Sequence, residues 1–475
     1  MRNNCVQMSL FDTCDDVLSS METDKPRLIQ LLEEHININD WIPLEFHVSF
    51  YRGLGRPREY KLGSFIRFFV LQKILGIHSD SLLLNILSLC QELRVFCGFY
   101  KLPDPSKLTR FRQDFSWHLK LMFDRLVEVT EPICREIDSK KADYLIYDTT
   151  GIEAYVAENN PKFLNSKLMF AKKIAGKNPD INPYSLAYSL LPDTSEAEPS
   201  VKQQYINGHF CYAHKAGILT NGLGIVRDIV LFDDDFKAKH PDVVSKKTDN
   251  PLVDKEISDS VSLNPVLSDF FNTHPSFSFG TFLGDASFDS YDSYSLLRKV
   301  FKFNRMVIPI NQRNSSGNHN DFDTNGTPLC PVDKTPFVFH HVCRGKNRSV
   351  RFKWVCHKSE PVHGSSKRFC SCETPCTSSS YGRCVYTYPD KDLRLYPGIP
   401  RGTEHWDNLY KHRVLIERSI HLLKGPLGGA GRLSSSQFST KTDLLFAGIT
   451  QLFGVIIAHA INKPRLCKSI RKLIA

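Results

Sequence analysis

The amino-terminal stretch MRNNCVQMSLFDTCDD lacks the basic start and apolar run of a secretory leader, so an exported, disulfide-stapled protein is not expected. A membrane span is not expected either. The longest apolar run, LLFAGITQLFGVIIAHA (Leu444 to Ala460), is slightly short and carries Thr450, Gln451 and His459, which suits a buried helix. No internal repeat is apparent. The paired C-x-x-C knuckles of common zinc modules are also absent, although the chain holds 14 cysteines. Without an export signal these cysteines point to a cytoplasmic chain of free thiols or metal ligands rather than a disulfide framework.

What is present is a chain of 475 residues, long enough for two or three domains with a sizeable buried core. Its hydrophobic share of 41% and charged share of 24% are those of an ordinary globular protein. The net charge of +10 favours a polyanionic partner, nucleic acid before membrane.

Residues 1–140 read as helical. In the segment Gly55 to Phe115, Phe65, Phe68, Phe69 and Gln72 begin a stripe spaced for one buried face. Asp80, Asp104 and Ser106 are candidate N-caps. In the last of these helices Leu108, Phe111 and Phe115 form an apolar stripe that leaves Lys107, Arg110 and Arg112 off it. A helix-turn-helix-like DNA-binding module and a plain bundle with a solvated basic face both fit. Beyond Lys140, ADYLIYDTTGIEAY alternates as a strand, with Tyr144, Ile146 and Asp148 on one side and Asp148 near its end. Residues 157–205 have loop composition. HFCYAHKAGILT and GIVRDIVLF read as a hairpin around Asn221-Gly222. A polar segment precedes a helix near NPVLSDFFNTH, and FGTFLGDAS is a short strand ending at Asp285. A helix over 291–301 and the strand RMVIPI follow. The expected fold is therefore an α/β core with a mixed sheet, flanked by an all-helical N-terminal domain. Residues 141–311 form its first part, 312–405 an irregular Cys-rich insertion, and 406–475 its C-terminal helices.

The stretch YKHRVLIERSIHLLK, Tyr410 to Lys424, holds one acid, Glu417, among six Arg, Lys and His residues. Read as one helix, it places Tyr410, Arg413, Glu417 and Lys424 within an arc of about 60°. The neighbouring arc, Leu409, Ile416, Ile420 and Leu423, is apolar. Alone, Arg413 and Glu417 would be a surface i,i+4 pair contributing a few tenths of a kcal/mol. Together with Asp148 and Asp285, both at strand ends of an open sheet, Glu417 suggests different chemistry. Three carboxylates with cations alongside suit divalent metals that cleave phosphodiesters, with hard oxygen ligands selecting Mg²⁺ or Mn²⁺.

The Tyr410, Arg413, Glu417, Lys424 spacing is similar to the Y-R-E-K signature of bacterial DDE transposases of the insertion-sequence-four-like group. IYDTTGIEA and GDASFDSYDSYSLLRK resemble that family's first- and second-aspartate segments, and Gly55 to Phe115 its N-terminal helical domain. The resemblance covers most of 50–310 and 405–460. It implies an RNase H-like catalytic core in which Asp148, Asp285 and Glu417 bind the metals, while Tyr410, Arg413 and Lys424 contact the DNA end. It further implies binding to double-stranded DNA (the terminal inverted repeats of an insertion sequence and the target), a homodimer on paired ends, and a prokaryotic, nucleoid-associated protein. His214 and Lys215 read as strand residues near that site. Asp289 and Asp292 read as capping or solvating the helix after Asp285, and stand as reserve candidates for it. Two rivals remain: a catalytically inactive transposase-derived DNA-binding protein, and a metal-dependent nuclease of the same fold.

The insertion holds Cys370, Cys372, Cys376 and Cys384, with His340, His341, His357 and His363 nearby. A structural Zn²⁺ on these cysteines is one reading and free thiols in a loop-rich insert the other. A zinc-dependent regulator is the corresponding third rival. The basic runs RGKNRSVRFKW and SSKRF suit either a DNA backbone or a solvated surface.

Overall fold

A computed structural model describes residues 27–52, 57–178, 180–206, 209–244, 256–311, 321–346, 348–364 and 367–473. Part of the expected helical lead-in (1–26) and the start of the insertion (312–320) lie outside them. The chain divides into two compact units, Met1–Ile133 with Leu422–Ala475, and Cys134–His421. The C-terminal residues from Leu422 onward thus belong to the helical unit, not to the α/β core as their sequence order suggested.

The first unit is a helical bundle. Helix Leu62–Leu75 buries Phe65, Phe68, Phe69 and Gln72 as the stripe predicts, but also Leu62, Ile66, Val70 and Leu71. It is enclosed on all sides rather than amphipathic. Gly76 ends it in the left-handed conformation, φ 68°, that favours glycine. Ser79, not Asp80, caps helix Asp80–Leu89, its hydroxyl accepting from the Leu82 amide. Asp104 caps the helix that starts at Pro105, accepting from the Ser106 amide at 2.8 Å. Helix Gln437–Ala460 is long and apolar enough to cross a membrane by composition, yet it is mostly buried in this unit. It packs on helix Leu62–Leu75, with the rings of Phe69 and Phe446 4.6 Å apart. Burying each such ring contributes roughly 1.5–3 kcal/mol.

The second unit is built on a six-stranded mixed sheet in the order β2-β3-β1-β5-β6, with β4 also paired to β3. Its strands are β1 (Tyr144–Glu153), β2 (Lys202–Ile206), β3 (His209–Asn221), β4 (Val226–Leu231), β5 (Thr281–Leu283) and β6 (Arg305–Val307). β1 runs antiparallel to β3 and parallel to β5, and β5 parallel to β6. Alternation along β1 sends successive residues to opposite faces. Leu145 and Tyr147 join a core with Phe232, Leu267, Phe270, Phe282 and Met306. Ile146 joins another with Leu283, Val307, Trp406, Leu409 and Ile416. Because both faces are covered, β1 reads as nearly continuous apolar sequence until Asp148.

Three expectations are corrected. Residues 157–205 are not loop: they include helices Pro161–Ala175 and Pro183–Ser189 as well as β2. Each helix begins with an Asn-Pro pair, Asn160 and Asn182 accepting from following amides ahead of a proline at the first turn. The β3–β4 connection is not a two-residue Asn-Gly turn. The Asn221 side chain accepts from the Leu223 and Ile225 amides, and Gly224 takes the left-handed conformation at φ 75°. The insertion is not irregular. It contains an antiparallel sheet of β7 (Val338–Gly345), β8 (Arg348–Val355) and β11 (Cys384–Thr387), and a hairpin of β9 (Ser359–Pro361) with β10 (Arg368–Cys370). Cys330, Phe337, Phe352, Trp354 and Tyr396 form its own small core.

Candidate active site

Two aspartates meet beside β1 because of strand register. β1 and β5 pair in parallel with Ile146 opposite Leu283, and the pairing stops there. Two residues further along each strand direction stand Asp148 and Asp285, which the two-residue period places on one side of the sheet. Asp148 is therefore mid-strand rather than at a strand end, because β1 continues to pair with β3 as far as Glu153. Asp285 lies just beyond its strand and caps a turn, Oδ1 accepting from the Ser287 amide at 2.9 Å. Asp148 Oδ1 accepts from the Thr149 amide at 2.9 Å. In each aspartate one oxygen is held by backbone and Oδ2 is left for another partner.

That partner is Arg413. Its Nη2 lies 3.3 Å from Asp148 Oδ2 and 3.9 Å from Asp285 Oδ2, while Nη1 donates to Glu417 Oε1 at 2.5 Å. Tyr410, Arg413 and Glu417 do not share one uniform helix. Helix Glu404–Tyr410 gives way to a 3₁₀ turn over Lys411–Arg413, and helix Val414–Lys424 follows. Ile416, wholly buried, seats this last helix against the sheet, and the Ser419 hydroxyl donates to the Gly224 carbonyl at 2.7 Å. Trp406 stacks on Tyr410 with ring centroids 5.0 Å apart, fixing the phenol beside the carboxylates. Lys424 ends its helix and falls in the first unit.

The electrostatics follow from this packing. Burial pushes the Asp148 carboxyl up to about 6, with Arg413 pulling against it and Asp285 adding to it. Burial also raises the Tyr410 phenol, opposed by Arg413 and reinforced by Asp285, Glu417 and Asp148. Asp259, which sequence reasoning missed, is a further acid near Asp148. Its Oδ1 accepts from the Thr149 hydroxyl at 2.5 Å and pairs with Lys215 Nζ at 2.7 Å. Its only signal was a place at the start of helix Asp259–Thr273. Three carboxylates (Asp148, Asp285, Glu417) face one cation (Arg413), an excess of two negative charges, while Asp259 has its own partner in Lys215. That excess and the all-oxygen donor set suit a divalent hard cation. The carboxylates of Asp148, Asp285 and Glu417 converge on one guanidinium and are not all within 4.8 Å of one another. Arg413 thus stands where a metal cation would neutralise them, and it must move for one to bind all three.

The remaining sequence candidates are distributed as follows. Lys107 and Arg110 are exposed in the first unit. Arg112 is not available to DNA: it is 1% exposed and its guanidinium grips Asp80 at 2.6 and 2.8 Å. It looked solvated because the apolar stripe cannot reveal a partner so far back in sequence. His214 is a buried strand residue. Asp289 is no substitute for Asp285, and Ser290 rather than Asp289 caps the following helix. It is wholly buried, with Arg394 Nη2 2.7 Å away and the Asn311 amide also donating to it. Asp292 is exposed on helix Tyr291–Ser295. Of the expected zinc ligands only two are brought together. Cys370 and Cys372 are joined by Cys356, whereas Cys376 packs against the small core that includes Cys330. Cys384 sits opposite Val355 on β11, beside Lys353 and Arg368.

Residues 17–114, the N-terminal helical segment alone, match the family model described as "Transposase domain (DUF772)". The match supports a transposase role. Among curated proteins none matches the sequence. A similar solved structure is "Cryo-EM structure of piggyBac transposase synaptic complex with hairpin DNA (SNHP)", with a TM-score of 0.38 and 9% identity, covering 96% of this chain and 80% of that one. At that score the likeness carries no weight for the site or the fold.

Proposed function

We propose that the chain is a DDE transposase. It binds the terminal inverted repeats of its insertion sequence, cleaves the DNA at those ends and joins the freed ends to target DNA. The observation that carries this reading is the convergence of Asp148, Asp285 and Glu417, from two adjacent strands and one helix, on the single guanidinium of Arg413. The transposase-domain match of residues 17–114 supports it from a separate part of the chain. In this reading the core is RNase H-like and Asp148, Asp285 and Glu417 hold Mg²⁺ or Mn²⁺. When bound, the metals activate a water or 3′-hydroxyl and stabilise the leaving oxygen. Arg413 exchanges its carboxylates for a phosphate of the DNA end, a partner its planar fork fits in two contacts. Tyr410 and Lys424 each contact the DNA end, and exposed Lys107 and Arg110 add sequence-independent backbone contacts. The protein acts as a homodimer on paired ends, in the cytoplasm at the nucleoid.

A strand-transfer assay tests this reading against a nuclease of the same fold. Purified protein, pre-cleaved terminal-repeat duplex, supercoiled target and Mg²⁺ are expected to give joined products. Nicked target without joining would favour the nuclease. Repeat binding without either product, unchanged by Asp285→Asn, would favour a DNA-binding relic.

A further inference from the structure

The insertion folds around a thiol cluster that the DNA chemistry leaves unused. Cys356 immediately follows β8, Cys370 ends β10, and Cys372 lies two residues beyond. The Sγ atoms of Cys370 and Cys372 are 3.3 Å apart, those of Cys356 and Cys372 4.0 Å apart, and all three lie within 4.8 Å of one another. Four sulfurs placed at the Zn–S distance of about 2.3 Å in a tetrahedron are about 3.8 Å from each other, so the observed separations bracket a zinc site. They are well beyond the roughly 2.05 Å of a disulfide. Backbone holds the sulfurs in place. The Cys356 amide donates to the Arg383 carbonyl at 3.1 Å and the Cys370 amide to the Ser380 carbonyl at 2.9 Å. Gly382, at φ 88°, presses on the cluster: a Cβ there would lie 3.3 Å from Cys370 Sγ and 3.0 Å from its Cβ.

Three soft donors from separate chain segments need one more to close a structural site. Cys376 lies one short loop beyond Cys372 and packs against the small core that holds Cys330. We propose that Cys356, Cys370 and Cys372 bind a zinc ion whose fourth ligand comes from the Cys330 and Cys376 pair. The ion ties β8, the β9–β10 hairpin and the following loop into one body, supplementing a core too small to hold them by burial alone. This role is independent of the carboxylate site.

Zinc content of the full chain, purified under reducing conditions without added metal, tests the proposal. About one zinc per chain is expected, as for a closed four-ligand site. Cys356→Ser and Cys372→Ser are expected to lose it, and Cys384→Ser to keep it. Should the serine variants aggregate, the parent stripped by chelator and reloaded with Co²⁺ gives the visible spectrum of a tetrahedral thiolate site. A folded parent that carries no zinc and takes up no Co²⁺ overturns the proposal, as does zinc retained in both Cys356→Ser and Cys372→Ser. The Nδ1 of His357 is buried without a hydrogen-bond partner. Metal loss in His357→Gln, but not in a Cys330→Ser/Cys376→Ser double variant, would overturn the assignment of the fourth ligand.

Discussion

Replacing Asp148 by Asn separates the cost of its charge from its shape. Burial, reinforced by Asp285 and opposed by Arg413, raises this carboxyl from 3.8 to about 6. A carboxyl whose folded pKa is raised binds its proton more tightly in the folded state. Stability is therefore full below the unfolded value near 4 and falls as pH rises through about 6. Two units correspond to about 3 kcal/mol, carried by the folded state near neutrality. The shift already includes the pull of Arg413, but the asparagine keeps its oxygen on the Thr149 amide and so sets an NH₂ group against the guanidinium, which leaves an expected net gain of about 1–2 kcal/mol at about pH 7.5. The assay is urea unfolding of parent and Asp148→Asn in metal-free buffer at about pH 7.5 and about pH 4.5. The variant is expected to be the more stable at the higher pH, with the gap shrinking at the lower. A variant less stable than the parent near neutrality, or a gap independent of pH, would refute the reasoning.

At Mg²⁺ well below saturation, metal-dependent cleavage is expected to decline as pH falls through about 6, because a proton on Asp148 competes with the metal; initial rates across that range would reveal a flat profile if this is wrong. In the helical unit, Lys73 Nζ lies 2.6 Å from Asp443 Oδ1, both buried, with Arg432 on the same carboxylate. Asp443→Ala strands those cations and is expected to cost about 3–5 kcal/mol in urea unfolding, with less than about 1 kcal/mol contradicting the account. Arg394→Ala leaves wholly buried Asp289 without its guanidinium and is expected to cost a similar 3–5 kcal/mol, read from the same measurement.

Much of the site was legible because its segments carry strong local patterns. β1 opens on an unbroken apolar run that ends at Asp148, and the apolar arc of Leu409, Ile416 and Ile420 marks the buried edge beside Arg413 and Glu417. What was not legible depends on partners distant in sequence. That Asp148 is mid-strand follows from the length of β3, which nothing near Asp148 encodes. Arg112 reads as a basic surface residue until Asp80 is found against it. Asp289 reads as a helix-associated acid until Arg394 reaches it from the far end of the insertion. Cys356 stands alone in its segment, so only the fold brings it to Cys370 and Cys372. The insertion's strands escaped because β7 is largely exposed and buries few of the alternating positions that mark a strand. The helices after Asn160 and Asn182 were a different matter. Their Asn-Pro starts were readable, and composition outweighed them.

The most direct test of the central claim is cleavage of duplexes carrying the DNA ends that flank the gene, by the parent and by Glu417→Gln, with and without Mg²⁺. Glu417 is 52% exposed, so its neutral isostere leaves the fold intact and removes only a carboxylate from the site. The account predicts Mg²⁺-dependent nicking at the repeat boundary by the parent, none by the variant, and unchanged binding of the ends by both. Equal nicking by the two proteins, or nicking that does not need the metal, would contradict it.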